Sequence, residues 1–150
     1  MRVIIQRVSS ASVTIDSKVY RKINAGFLVL VGFTQDDAQD DINWLVQKII
    51  NLRVFPDQNG QMNQSITDVQ GDILLISQFT LYASTKKGNR PSFIHAAKPD
   101  LAIHLYKQTV HTFNQIMPTN IKSGKFGADM KISLVNDGPV TISIDSKRKE

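Results

Sequence analysis

Two uninterrupted apolar runs do most to limit what this chain can fold into. Phe27-Leu28-Val29-Leu30-Val31 follows the turn Asn24-Ala25-Gly26, and Ile73-Leu74-Leu75-Ile76 follows Asp72. Both are too short for ordinary helices and neither alternates with polar residues. Such runs suit strands buried on both faces, at the centre of a sheet. Around them lie half-buried strand patterns. Val3, Ile5 and Arg7 alternate with Arg2, Ile4 and Gln6, and Ala11, Val13 and Ile15 alternate with Ser12, Thr14 and Asp16. Further strands are expected at Val19 to Ile23, Arg53-Val54-Phe55, Ile121-Lys122, Met130 to Val135 and Val140 to Ile144.

Only two segments carry a helical period. Asp36 and Asp37 offer a cap and negative charge at a helix start, after which Ile42, Leu45, Val46 and Ile49 share a face. Pro99 opens the second helix, where its missing N–H costs nothing. Ala102, Leu105, Tyr106, Thr109, Val110 and Phe113 form its apolar face, and Pro118 ends it. The 150 residues suit one domain spanning 1–150. The expected class is α+β, with a strongly curved mixed sheet or barrel and two main helices. Residues 146–150, Ser146-Lys147-Arg148-Lys149-Glu150, are expected to form a flexible basic tail.

Composition removes several chemistries. With no cysteine there is no disulfide, thiol nucleophile or cysteine metal site. No apolar run approaches the ~20 residues of a membrane span, and Gln6 and Arg7 interrupt the place where a secretory signal has its apolar stretch. His104 and His111 stand seven residues apart on the second helix, roughly 10 Å along its axis, too far to share a metal. They fall with Gln108 and Gln115 on its polar face, as solvated helix histidines do. His95 stands alone. No metal-binding motif, nucleophile elbow, P-loop or dinucleotide fingerprint occurs, so no metal and no cofactor is expected. Residues 1–75 hold seven basic and eight acidic side chains, and residues 76–150 hold eleven and five. The basic half permits a polyanionic partner such as RNA.

Two segments carry what chemistry remains. Ser77-Gln78-Phe79-Thr80-Leu81 sets hydroxyls and an amide at the end of a buried strand. They read either as the rim of a pocket or as a strand leaving the core. If the strand continued, Ser77 and Phe79 would point one way and Gln78 and Thr80 the other. Asn136-Asp137-Gly138-Pro139-Val140-Thr141 reads either as a hairpin turn or as a rigid Gly-Pro unit presenting fixed carbonyls to a ligand. X-Pro bonds are nearly the only ones that adopt the cis form.

The first segment matches S-Q-x-x-L and the second N-x-G-P-x-T, two motifs of the D-aminoacyl-tRNA deacylases. Gln6-Arg7-Val8 with Ala11-Ser12-Val13, Lys87-Gly88-Asn89-Arg90-Pro91-Ser92-Phe93 and Gly124-Lys125-Phe126-Gly127-Ala128-Asp129-Met130 also resemble blocks of that family, in family order. The resemblance covers residues 1–145. It implies a metal-free hydrolase that cleaves the ester of D-aminoacyl-tRNA and of glycyl-tRNA, releasing free amino acid and tRNA in translation proofreading. It implies catalytic-site roles for Ser77, Gln78, Phe79 and Thr80, and a chiral gate made by a cis peptide between Gly138 and Pro139. It implies a homodimer with pockets at the interface, working in the cytoplasm, with neither membrane nor DNA as partner. Lys86, Lys87, Arg90, Lys122 and Lys125 are the expected contacts to tRNA phosphates.

Overall fold

In the computed structural model, which describes residues 1–118 and 120–149, the two apolar runs are neighbouring parallel strands at the centre of one sheet. The chain forms β1 (Arg2–Ile15), β2 (Lys18–Ile23), β3 (Gly26–Gly32), α1 (Gln39–Ile50), the small pair β4 (Phe55–Pro56) and β5 (Met62–Gln64), and β6 (Asp72–Ser77). A 3-10 turn (Phe79–Tyr82), α2 (Pro99–Ile116), β7 (Ile121–Ser123) and β8 (Lys131–Asp145) complete it. Phe27 of β3 lies opposite Ile73 of β6, and Leu30 opposite Ile76. Parallel neighbours need long crossovers. α1 lies in the crossover from β3 to β6, and α2 in the one from β6 to β7. β1 pairs antiparallel with β8 along one edge, and with β3 and then β2 along the other. β2 in turn comes against β6 and β7. The result is a nearly closed, barrel-like mixed sheet with two helices.

Burial on both faces follows from alternation. Phe27, Val29, Val31, Ile73 and Leu75 pack in the core shared with Leu45, Val46, Leu105 and Phe113 of the helices. Leu28, Leu74 and Ile76 point the other way, into the barrel with Val8, Ala11, Val13 and Ile23. Each fully buried side chain of this size stabilises the fold by roughly 1.5–3 kcal/mol. Where β3 begins, the chains meet closely: a Cβ on Gly26 would sit 1.9 Å from the Asp72 carbonyl oxygen, so no side chain fits there.

Several expectations are corrected. The first helix begins at Gln39 rather than at the Asp36-Asp37 pair, and the Asp41 carboxylate accepts a 3.0 Å bond from the Ala38 N–H. Asp37 is buried instead, where it pairs with the Met1 ammonium and accepts the Thr34 N–H at 2.8 Å. The two expected strands in residues 1–15 are one strand, β1, with a bulge between Val8 and Ser10. The short strand expected at Arg53 to Phe55 covers only Phe55–Pro56, paired with β5, which has too little apolar alternation to be read in advance.

The expected tail is docked as far as the described residues go. Ser146 is 4% exposed, its N–H donates to the Met1 carbonyl, and its hydroxyl donates to Asp41 at 2.7 Å. Lys147 bridges to Asp41 at 2.8 Å, and Lys149 lies over the Trp44 ring. Composition alone suggests a flexible arm because it gives the charges without their acidic partner Asp41 on α1. Glu150 lies outside the described residues.

Candidate functional site

The end of β6 is where the sheet stops and the chemistry can begin. The Gln78 N–H still donates to the Val31 carbonyl at 2.7 Å. β3 ends at Gly32, and the chain then tightens: Leu81 N–H donates to the Gln78 carbonyl at 3.2 Å, and Ala83 N–H to that of Thr80 at 3.0 Å. The strand therefore does not continue, and the alternation expected for residues 77–80 is replaced by a 3-10 turn. Gly32 allows the turn to fold back, since a Cβ there would lie 2.8 Å from the Gln78 oxygen. The leading N–H groups of a helical turn have no partner within it. Among the described residues no other group engages the N–H of Phe79 or Thr80.

A cavity of about 310 Å³ opens beside this turn. Ser77, Gln78 and Phe79 line one side, and Phe126, Asp129 and Met130 the other. Thr80 is exposed and does not line it; the Gln78 side-chain amide donates to its Oγ1. Phe79 is 56% exposed and meets Phe93 edge-on, centroids 5.0 Å apart. Tyr106 on α2 braces the floor. Its hydroxyl donates to the carbonyls of Leu75 at 2.9 Å and Gly124 at 3.3 Å. Burial pushes this phenol well above its ordinary pKa, so it remains a donor. One hydroxyl thus ties the strand that delivers Ser77 to the segment that delivers Phe126.

The second segment is not a hairpin turn. β8 runs unbroken from Lys131 to Asp145, paired with β1 on both sides of the motif. Gln6 pairs with Thr141 and Val8 with Asn136, so residues 137–140 loop out opposite Arg7 alone. The Gly138–Pro139 peptide is cis. Asp137, Gly138 and Pro139 are exposed, while Val140 returns to the core. Asn136 closes the loop, its Oδ1 accepting the Val140 N–H at 3.0 Å and its amide donating to Thr141 Oγ1 at 2.8 Å. Arg7, 8% exposed, reaches in from β1. Its Nε donates to the Asp137 carbonyl at 3.0 Å and stands 3.5 Å from the Asp137 carboxylate, and its Nη1 donates to the Val54 carbonyl. A Cβ on Gly138 would meet Val140 Cγ2 at 2.8 Å and Arg7 Nη2 at 2.9 Å, at φ +134°.

The structure brings Ser77, Gln78 and Phe79 to one cavity and leaves Gly138 and Pro139 off its wall. Of the expected phosphate contacts, Lys86, Lys87 and Arg90 are exposed on a loop that Ser84 and Ser92 close with two mutual backbone bonds of 2.8 and 2.9 Å. Lys122 is half-buried on β7, and exposed Lys125 precedes Phe126. His104 and His111 are exposed on α2. Among the described residues no group of three or more histidine, cysteine, aspartate or glutamate side chains gathers as a metal site, and no helix is long and apolar enough to cross a membrane.

Asp129 is the one titratable side chain on the cavity wall, and it is 84% exposed and bridged to Lys131 at 2.7 Å. The cavity therefore offers shape and hydrogen-bond donors rather than a buried base. The sequence marks Arg7 and Phe126–Met130 only as parts of family blocks and Tyr106 only as a core position, and gives none of them a role at the site. Arg7 carried a signal: it occupies the same phase of β1 as buried Val3 and Ile5, and a charge at a core position is there for a partner.

A family described as D-Tyr-tRNA(Tyr) deacylase matches residues 4–145. A protein of Flavobacterium psychrophilum named D-aminoacyl-tRNA deacylase is 59% identical over 150 residues, all of both chains. One of the same name from Bacteroides fragilis is 57% identical over the same span, again all of both chains. A solved structure described as c-Myc DNA Unwinding Element Binding Protein superposes with a TM-score of 0.93 at 40% identity, covering 97% of this chain and 98% of that one.

Proposed function

The chain belongs to the D-Tyr-tRNA(Tyr) deacylase family, and from that premise we propose how its two motif segments divide the work of hydrolysing D-aminoacyl-tRNA. The enzyme is a hydrolase of the aminoacyl-tRNA ester, acting in translation proofreading. The cavity beside the 3-10 turn receives the ester. The observation that carries this reading is that the turn interrupts β6 at its motif and leaves the N–H groups of Phe79 and Thr80 without a protein partner among the described residues. Donors fixed where negative charge develops can contribute about 3 kcal/mol each to the transition state.

Thr80 positions groups rather than attacking. A hydroxyl nucleophile needs a base, and the neighbour bonded to Thr80 Oγ1 is the Gln78 amide, which is none. The ribose 2′-OH of the substrate then assists the attacking water. Gly138 and Pro139 act as a gate whose carbonyls occupy the space of an L side chain, so many D side chains and glycine pass. Glycyl-tRNA is a substrate on this reading. These two residues protrude, exposed, from β8 and do not line the cavity of their own chain. That supports a homodimer in which each subunit lends its gate to the other's cavity. A tRNA substrate puts the enzyme in the cytoplasm on this reading, with Lys86, Lys87, Arg90, Lys122 and Lys125 meeting phosphates.

Paired hydrolysis of D-Tyr-tRNA and L-Tyr-tRNA in the presence of chelator tests this. Release of D-Tyr with L-Tyr-tRNA intact is expected. Thr80→Ala is expected to keep most of the single-turnover rate; complete loss in a folded, tRNA-binding variant would make Thr80 the nucleophile. The name of the 40% identical structural neighbour favours a second reading, a nucleic-acid-binding module without turnover. Tight binding of nucleic acid with neither ester cleaved would establish that one instead.

A further inference from the structure

A separate cavity of about 520 Å³ lies at the other end of the 3-10 turn, lined by Arg2, Thr34, Tyr82, Ser84, Thr85 and His95 together with Ala83. It shares no residue with the cavity that Ser77, Gln78 and Phe79 line. Its cation is held in place. The Arg2 guanidinium lies 4.5 Å from the centroid of the Tyr82 ring, its Nε donates to Asp145 Oδ2 at 2.8 Å, and its Nη1 donates to the Leu81 carbonyl at 3.2 Å. Among the described residues its Nη2 has no protein acceptor. An arginine fixed by stacking and by one carboxylate presents its remaining donors with little ordering cost, and such forks suit phosphate oxygens.

The rest of the lining has the same character. Thr34, Ser84 and Thr85 bring hydroxyls, and His95 an imidazole. The Thr34 hydroxyl donates to the His95 carbonyl at 2.8 Å, fixing that wall. Asp145 is the acidic neighbour of Arg2, and hydrogen bonds from Arg2 and the Lys147 N–H, outweighing its burial, hold its pKa low, so it stays ionised beside Arg2. The segment that closes the cavity offsets it. Residues 83–99 contain Lys86, Lys87, Arg90 and Lys98 and no acidic residue. Four residues of 3-10 turn span about 8 Å at roughly 2 Å per residue, so the cavity is close to the ester site.

We infer that this cavity is a phosphodiester site, which takes a backbone phosphate from the last one or two linkages of the substrate's 3′ strand while its terminal ribose sits against Phe79 and Thr80. The inference rests on the reading of the site given above and adds to it the element that sets the strand's direction of approach. It also separates two kinds of cation. Lys86, Lys87 and Arg90 are exposed on the loop, and their attraction is general. Arg2 is fixed and contacts one phosphate.

The test combines a charge on the protein with a charge removed from the RNA. Binding is measured by fluorescence anisotropy for an RNA hairpin ending in its natural single strand, and for the same hairpin carrying a neutral methylphosphonate at each of the last two linkages in turn. The proteins are the unaltered chain, Thr85→Asp, which puts a negative charge on the cavity wall and leaves Arg2 in place, and Arg2→Gln. For the unaltered chain, one methylphosphonate position is expected to weaken binding roughly tenfold, the range of a charge-assisted hydrogen bond. Thr85→Asp and Arg2→Gln are each expected to weaken natural RNA by a similar factor and to show no further loss with that methylphosphonate. Losses that simply multiply, or no loss at either linkage, would overturn the site. D-Tyr-tRNA hydrolysis by the unaltered chain is run alongside, and its absence would refute the ester reading whatever the anisotropy shows.

Discussion

The two motif segments are held by different physics. The one at the end of β6 is fixed without charge: a strand rung to Val31, the 3-10 turn's own bonds, the Gln78–Thr80 contact and the Tyr106 hydroxyl. The one on β8 is closed by two neutral bonds of Asn136 and then tied by charge to residues far along the chain. Arg7 reaches across from β1 to Asp137, Arg2 holds Asp145 at the strand's end, and Lys147 pins the chain beyond it to Asp41. Neutral bonds are insensitive to pH. Charged ones are not, and losing Asp137 would leave the buried Arg7 guanidinium without its carboxylate. The segment at the end of β6 is therefore expected to be the robust one, and the segment on β8, the proposed gate, the sensitive one.

The largest effect should come from filling the space above Gly138. Gly138→Ala places a methyl against Val140 and Arg7 at a positive φ. Discrimination between D-Tyr-tRNA and L-Tyr-tRNA is expected to fall by about 100-fold, some 3 kcal/mol, an amount typical of strained backbone positions. Hydrolysis of glycyl-tRNA should persist. If discrimination survives intact, the gate is elsewhere and the contrast between the segments collapses.

Arg7→Ala is next. It leaves the Asp137 and Val54 carbonyls without their donor, at about 2–3 kcal/mol of stability, read as a lower urea midpoint. Discrimination should fall with it, whereas a variant that loses stability and keeps discrimination would make Arg7 a brace for β4 only. Tyr106→Phe makes the matching change under β6. One neutral donor is lost, at about 1 kcal/mol, and selectivity should be untouched while KM rises modestly.

Acid sharpens the contrast least, and without a mutation. Burial would raise the Asp41 carboxyl, but bonds from Lys147, Ser146 and the Ala38 N–H outweigh it and hold the pKa at about 2. Its folded value lies below its unfolded one. Its stabilising contribution is thus complete above about pH 4 and is lost as pH falls from there toward 2. Exchange of amides 145–148 should rise over that window before those of residues 73–79 do.

The same contrast explains what was legible in the sequence. Local periodicity reports what neighbours in sequence do for one another, so the buried β3 and β6, α2 with Pro99 at its start, and the segment around Ser77 could be placed in advance. Residues 137–140 could be marked as special, yet not as a protrusion from one unbroken strand, because that depends on β1 running alongside. Asp37 was read as a helix cap for the same reason: its partner, the Met1 ammonium, lies at the far end of the chain. Arg7 was visible as a charge in a buried phase, with nothing nearby to say what it answered.

The protrusion on β8 also has an arithmetic. Between the pairs Ser10–Val135 and Gln6–Thr141, β8 advances six residues while β1 advances four. The two flanks serve different cores: Ile132 and Leu134 before it pack into the barrel, and Val140, Ile142 and Ile144 after it pack into the core shared with the helices. Losing or gaining one residue here would invert every side chain on one flank of the strand. Length variation at this loop is therefore quantised: tolerated insertions and deletions come in twos, and a single-residue change is compensated only by a second one at the Ser9 bulge on the facing strand.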